Sequence, residues 1–147
     1  MRHEKTELKG NAAEERMLED AKRFILASGE FRTASDLAKL LQADSHKLAQ
    51  QLNAWKNCGE IFSIPGDNES ELFPVFALDP RSGPQVFEAI PKVLQIFGDK
   101  LSRWAIAGWF VAACSYLDDQ LPKDLLGEDP DWVVAAARDE IDEISHG

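Results

Sequence analysis

A chain of 147 residues that is 44% hydrophobic and 29% charged has the composition of an ordinary globular protein, with room for one domain or two small ones. Its net charge of −10 is uneven, since Met1 to Gly83 carry 11 basic and 14 acidic residues and Pro84 to Gly147 carry 5 and 12. The acidic second half disfavours nucleic acid and anionic membrane, and suits either a basic protein surface or a solubilising role.

Met1 to Gly10 is charged throughout and no apolar segment follows before Phe24. No secretory leader is expected, and cytoplasmic residence is the default. Cys58 and Cys114 share no short spacing with each other or with His3, His46 or His146, which argues against a zinc site or a redox pair.

Residues 1–11 have no apolar periodicity and are expected as a flexible start. From Ala12, the positions Met17, Leu18, Ala21, Phe24 and Ile25 recur at helical spacing, and Gly29 is placed to end that amphipathic helix in the left-handed conformation. Thr33-Ala34-Ser35-Asp36 fits a capping box opening a second helix, on which Leu37, Leu40 and Leu41 face one way. After Gln42-Ala43-Asp44, either Asp44 or Ser45 can cap a third helix with a buried stripe of Leu48, Leu52 and Trp55 and an end at Gly59.

Opposite that stripe, at 100° per residue, lie His46, Gln50, Asn53 and Asn57, with Lys47 on the flank. Two short helices with a tight connection and an amide-bearing outer face are what a helix-turn-helix needs, because amides pair bidentately with adenine in the major groove. Ser45, His46, Lys47, Gln50, Asn53 and Asn57 are therefore the candidate DNA contacts. Lys39, Lys47 and Lys56 are matched by Asp36, Asp44 and Glu60, so the phosphate attraction is small and a plain helix-packing unit is the alternative.

Ile61-Phe62-Ser63-Ile64 and Leu72-Phe73-Pro74-Val75-Phe76 read as two strands divided by the turn-forming residues 65–71. A hairpin directly behind a recognition helix is the order of a winged helix. Pro74 then belongs on an edge or at a bulge, and the acidic loop is a poor wing for gripping phosphates. Asp79-Pro80-Arg81-Ser82-Gly83-Pro84 reads as a linker. The expected organisation is a flexible start at 1–11, a winged-helix-like unit at 12–79, a linker at 80–84 and a helical toxin-binding or dimerisation unit at 85–147.

Beyond the linker, Val86, Phe87, Ile90, Val93, Leu94 and Phe97 predict a helix that Pro91 kinks or reopens and Gly98 stops. Trp104 to Leu117 is apolar or small on every side, which predicts a helix with no wet face, central to a core or meeting a partner, with the Tyr116 hydroxyl at its wet end. It is too short to cross a bilayer, which takes roughly 20 apolar residues. Leu117 to Pro122 turns the chain, and Pro122 opens a helical turn through Leu126. Asp129, Pro130 and Asp131 signpost a last helix whose stripe of Val134, Ala137, Ile141 and Ile144 is expected to bury against the central helix or to pair with another chain.

From about Gln85 to Ile144 the chain resembles the toxin-binding domain of antitoxins of the Xre/MbcA/ParS type. The residues that carry the likeness are Trp109-Phe110, Leu117, Leu121-Pro122-Lys123-Asp124-Leu125-Leu126 and the closing amphipathic helix. Upstream, Trp55 to Phe62 and Leu72 to Phe76 resemble the segment preceding this domain in some members. The resemblance implies a cytosolic bacterial protein that binds and sterically inhibits a RES-domain, NAD-consuming toxin and often represses its own operon through an N-terminal DNA-binding domain. It places partner contact on Trp109, Asp118, Leu121, Pro122, Lys123, Leu125, Leu126, Arg138, Ile141 and Ile144. The acidity of Asp139, Glu140, Asp142 and Glu143 would suit a positive cleft built for a dinucleotide phosphate. Two features depart from the pattern: Asp118-Asp119-Gln120 has no glycine where relatives often do, and Ala112-Ala113-Cys114-Ser115 is small and bland where polar or Pro-containing sequence is common.

The chain is thus expected to be mainly α, with an N-terminal winged-helix-like helix-turn-helix domain bearing a short β-hairpin and a small all-α domain after it. The leading reading is an antitoxin-like homodimer with a cognate toxin, possible operator DNA, no cofactor and no membrane. An orphan transcriptional regulator whose C-terminal domain only dimerises, and an interaction adaptor without DNA binding, are the alternatives. An enzyme is disfavoured, since no Ser or Cys nucleophile has a histidine motif and no glycine-rich loop follows a strand. Trp104, Trp109 and Trp132 are read as core residues unless exposed.

Overall fold

The computed structural model describes residues 2–81 and 85–146, of which 2–11 and 146 are described as backbone only. The described chain is mainly helical, with six α-helices and a small amount of sheet.

Helix α1 (Arg2–Ala27) starts upstream of the apolar periodicity and ends where Gly29 takes φ +74°. Its apolar face is not buried as expected. Ile25 is buried over Gly108, whereas Met17, Leu18, Ala21 and Phe24 are exposed. The reason lies in its neighbour: α1 packs chiefly on the 9-residue helix α5 (Arg103–Val111), which receives Ile25 near one end of α1, while Phe24, about 100° round the helix, faces away from it and Met17, Leu18 and Ala21 lie upstream.

Strand β1 (Phe31–Arg32) leads into α2 (Ala34–Leu41), where the Thr33 hydroxyl accepts from the Asp36 N–H at 3.1 Å. Leu37 and Ala38 are buried while Leu40, expected on the inner face, is exposed; the inward arc is centred on Leu37, Ala38 and the half-buried Leu41. The Asp44 carboxylate caps α3 (Ser45–Asn57) by accepting from the Lys47 N–H at 2.9 Å, and Leu48 and Leu52 are buried beneath it with Trp55 half-buried.

The hairpin is shorter than the apolar runs predict. Strands β2 (Ile64–Pro65) and β3 (Glu71–Pro74) pair antiparallel with Ile64 opposite Leu72, and β1 pairs on the other side of β3 with Phe31 opposite Pro74, giving the order β1-β3-β2. Ile61 and Phe62 are buried in the core ahead of the ladder, and Val75–Ala77 turn as a 3-10 helix. Pro74 lies neither on an edge strand nor at a bulge. It ends the central strand, where the next N–H, that of Val75, donates to the Glu30 carbonyl at 2.8 Å. At the hairpin tip Gly66 is required sterically, because a Cβ there would lie 2.5 Å from the Ser70 hydroxyl and 2.9 Å from Leu72.

Strands β4 (Leu78–Asp79) and β5 (Gln85–Val86) pair antiparallel across the segment expected as a linker, of which 82–84 lie outside the described residues. Val86 is therefore in a strand rather than in the next helix. Helix α4 (Ala89–Phe97) starts late enough for Pro91 to sit in the first turn, where its missing N–H has no intrahelical partner to lose.

Helix α5 stops at Val111, well short of the expected Leu117, because Ala112 turns extended and Cys114 forms a bridge with Gln120. Within this loop the Cys114 N–H donates to the Gln120 carbonyl at 3.0 Å and the Asp119 N–H to the Cys114 carbonyl at 2.9 Å. Asp118 and Asp119 reverse the chain at φ 57° and 65°. The expected absence of a wet face is also corrected: Ala105, Ala112 and Ala113 are exposed, and alanine serves there because its single methyl costs little in water.

A 3-10 turn at Pro122–Leu125 leads to α6 (Pro130–His146), whose Trp132 N–H donates to the Asp129 carboxylate at 3.3 Å. α6 buries Val133, Val134, Ala136, Ala137 and Ile141, and its main support is α4 rather than the central helix, with Ile144 left exposed. A chain of aromatic contacts joins the halves, from Phe31 through Phe62 and Phe76 to Phe110, then Trp109 and Phe97, with ring centroids 5.1 to 6.0 Å apart.

Candidate functional site

The outer face of α3 is free. Ser45, His46, Lys47, Gln50, Asn53 and Asn57 are all exposed, as the helical spacing requires when Leu48 and Leu52 point inward. Ser45, His46, Gln50 and Asn53 share a groove of about 560 Å³ with Thr33 and Ser35 from the start of α2 and with Ser70, Glu71 and Phe73 from the hairpin. The Gln50 amide and a His46 ring nitrogen lie 3.3 Å apart in hydrogen-bond contact. Lys47 falls outside this groove, on the flank with Ala43 and Gln51.

Charge in the groove is managed by a local cluster. Glu71 accepts from Lys56 and, at 2.6 Å, from the buried Ser63 hydroxyl. Burial works to raise the Glu71 carboxyl, but the hydrogen bonds from Lys56 and Ser63, with the charges of Lys56 and Arg103, hold it below its ordinary value. Lys56 is thereby occupied and adds little to an attraction for phosphate.

The partner residues expected in the second half separate into two groups. Pro122, Leu125, Leu126 and Ile141 are buried, and so support the surface from beneath. Asp118, Arg138 and Ile144 are exposed, and Trp109, Leu121 and Lys123 are half-buried. Lys123 pairs with Asp124 at 2.8 Å and with Glu30, just before β1, at 3.3 Å. Burial acts to lower the Lys123 ammonium, but these two carboxylates hold it above its ordinary value.

Trp109 and the Cys114–Gln120 loop open onto a groove of about 360 Å³ between α5 and α6. Its floor is small, formed by Ala105, Gly108, Ala112, Ala113 and Ala136, and its rim carries Asp139, Glu140 and Glu143. Among the described residues none of these three carboxylates is ion-paired. The floor residues were not legible as site residues, and in the sequence Ala112-Ala113-Cys114-Ser115 stands out only as a departure from the resembled pattern. Trp104, Trp109 and Trp132 are all half-buried, Trp104 lying 5.3 Å beneath the Lys22 ammonium.

Among the described residues no group of three or more His, Cys, Asp or Glu is placed to hold a metal ion, and no helix is long and apolar enough to cross a membrane. No protein-family model matches the chain, and comparison with curated proteins and with solved structures finds no match.

Proposed function

We propose that this chain is an antitoxin-like regulator that binds and sterically inhibits a cognate protein toxin through its second half and contacts operator DNA through α3. The observation that carries the reading is the groove between α5 and α6, small-floored and rimmed by Asp139, Glu140 and Glu143. Unpaired carboxylates around a recess favour a basic partner segment, since each pairing replaces like-charge repulsion within an acidic half by attraction. The resemblance of Trp109-Phe110 and Leu121 to Leu126 to the Xre/MbcA/ParS toxin-binding domain agrees in position with this groove and its supporting turn. On that resemblance the partner is a RES-type enzyme that consumes NAD, and the acidic rim would meet the positive cleft made for its dinucleotide.

For the first half, the order α1, β1, α2, α3, β2, β3 with β1 paired to β3 supports a winged-helix-like unit, in which α3 presents His46, Gln50 and Asn53 to the major groove. One observation favours a second reading, an adaptor without DNA binding: Lys56 is tied to Glu71 and little basic charge is left around α3.

The test is purification of the tagged chain from its native host with mass spectrometry of whatever accompanies it in near-stoichiometric amount. A RES-fold or other small toxin is the expected companion. Recovery of the chain alone, or with DNA only, would reject the inhibitory role and leave an orphan regulator.

A further inference from the structure

We infer that His46 is a positioning residue that holds the Gln50 amide with its carbonyl outward, so that α3 reads adenine at one position of its DNA site. The inference rests on the reading of α3 as a DNA contact and names the base that this reading leaves open. His46 and Gln50 stand four residues apart at the start of α3, and the Asp44 carboxylate fixes that start by accepting from the Lys47 N–H. Helical side chains lean toward the N-terminus, so Gln50 lies back over His46, and its amide nitrogen comes within 3.3 Å of the ring Nε2. An amide NH2 group only donates. The ring Nε2 is therefore the acceptor, and the proton of the imidazole sits on Nδ1.

With one N–H given to the ring, Gln50 keeps its carbonyl and its other N–H side by side on an exposed edge. That edge complements adenine, whose major-groove face offers the N6 amino donor and the N7 acceptor. It is mismatched to guanine, whose N7 and O6 both accept. A donor at position 46 would reverse the amide, because the carbonyl would turn to it and leave the N–H groups outward for guanine. Glu71, the charged residue lining the same groove, does not compete for either group, since it is engaged by Lys56 and the Ser63 hydroxyl. Holding the amide in advance also removes part of the ordering cost that a long exposed side chain meets on binding.

Selection of bound duplexes from a random-sequence pool tests it, with the full chain compared as wild type, His46→Ala, His46→Glu and His46→Lys. The wild type is expected to prefer adenine over guanine at one position by about tenfold or more. In His46→Ala the amide turns freely, and the preference should fall below about threefold. Glutamate at 46 only accepts, so it keeps the adenine preference while its charge weakens binding to every sequence. Lysine only donates, so binding strengthens overall and that position shifts to guanine. Base preference and affinity then move independently, which neither a phosphate contact nor a helix-stabilising role produces. Without DNA, 15N spectra of the neutral His46 ring in the free chain should show Nδ1 protonated and Nε2 bare. An enriched sequence with the same base preference in every variant, or a ring protonated at Nε2, would overturn the role of His46 and leave DNA contact standing. Recovery of no enriched sequence by any of these proteins would overturn the DNA reading of α3 and this inference with it.

Discussion

Phe110 of α5 stacks on Phe62, which precedes the hairpin, with ring centroids 6.0 Å apart and planes inclined by only 16°. Phe110 also meets Phe76 at 5.2 Å and Trp109 at 5.1 Å, so one ring is shared by the sheet unit and the helical unit. Phe110→Ala is expected to cost about 3–5 kcal/mol, a large part of the stability of a chain this size. Urea unfolding followed by tryptophan fluorescence and by circular dichroism should give one coincident transition in the wild type and an earlier one in the variant. Two separate transitions, with only the C-terminal one shifted, would show that the shared ring does not couple the halves.

The reversing turn after α5 places Asp118 and Asp119 at φ 57° and 65°, a conformation in which a side chain costs roughly 1 kcal/mol relative to glycine. Asp118→Gly should therefore leave stability unchanged or raise it by up to about 1 kcal/mol, and Asp118→Val should lower it by about 1–2 kcal/mol. Thermal unfolding of both variants checks the pair. The missing glycine is then a local strain tolerated by aspartate, whose short polar side chain suits the left-handed region, and the turn keeps its shape.

Glu71 gives the chain a specific acid sensitivity. Its carboxyl is held below its ordinary value of 4.5 in the folded state, so it binds a proton less readily there than in the unfolded chain. The stability this contributes is present above about pH 4.5 and is lost as pH falls through the lower folded value. Glu71→Gln should shallow the fall in stability below pH 4.5 and cost less than about 1 kcal/mol at neutral pH, because the pair is partly solvated. Chemical denaturation across pH 3 to 7, roughly the carboxylate range, measures this directly. Identical pH profiles in the two proteins would remove the assigned role.

If α3 reads bases, Gln50→Ala and Asn53→Ala should each weaken specific binding to DNA from upstream of the gene by about 1–3 kcal/mol without altering thermal stability, since both side chains are exposed. Fluorescence anisotropy at two salt concentrations separates this loss from phosphate contacts, which the sparse basic charge keeps few. Unchanged affinity in both variants would point away from α3 as the reading element.

Local signals in the sequence carried most of the helix boundaries, because caps act over three or four residues: Thr33, Asp44 and Asp129 each accept the backbone N–H that their positions foretell. What was not legible depends on distant packing. The face of α1 has helical periodicity whether or not anything covers it, and only the packing of α5 on the Ile25 side, near one end of the helix, leaves Met17 and Phe24 in water. The apolar run after Trp104 gave no sign of its break at Ala112, since the break is made by a bridge from Cys114 to Gln120 that composition does not encode. For the site, the α3 face followed directly from 100° periodicity. The α5–α6 groove did not, as its floor is made of alanine and glycine, residues with no chemistry to recognise.

The most direct measurement of the central claim is capture of the partner by the full chain and by Asp139→Lys/Glu140→Lys/Glu143→Lys, with NAD consumption by the captured protein read in the presence of each. The wild type should retain a near-stoichiometric partner and suppress its NAD consumption, while the variant, folded by circular dichroism, should lose both. Equal capture and equal inhibition by the two proteins would contradict the assignment of the acidic groove as the partner-binding surface.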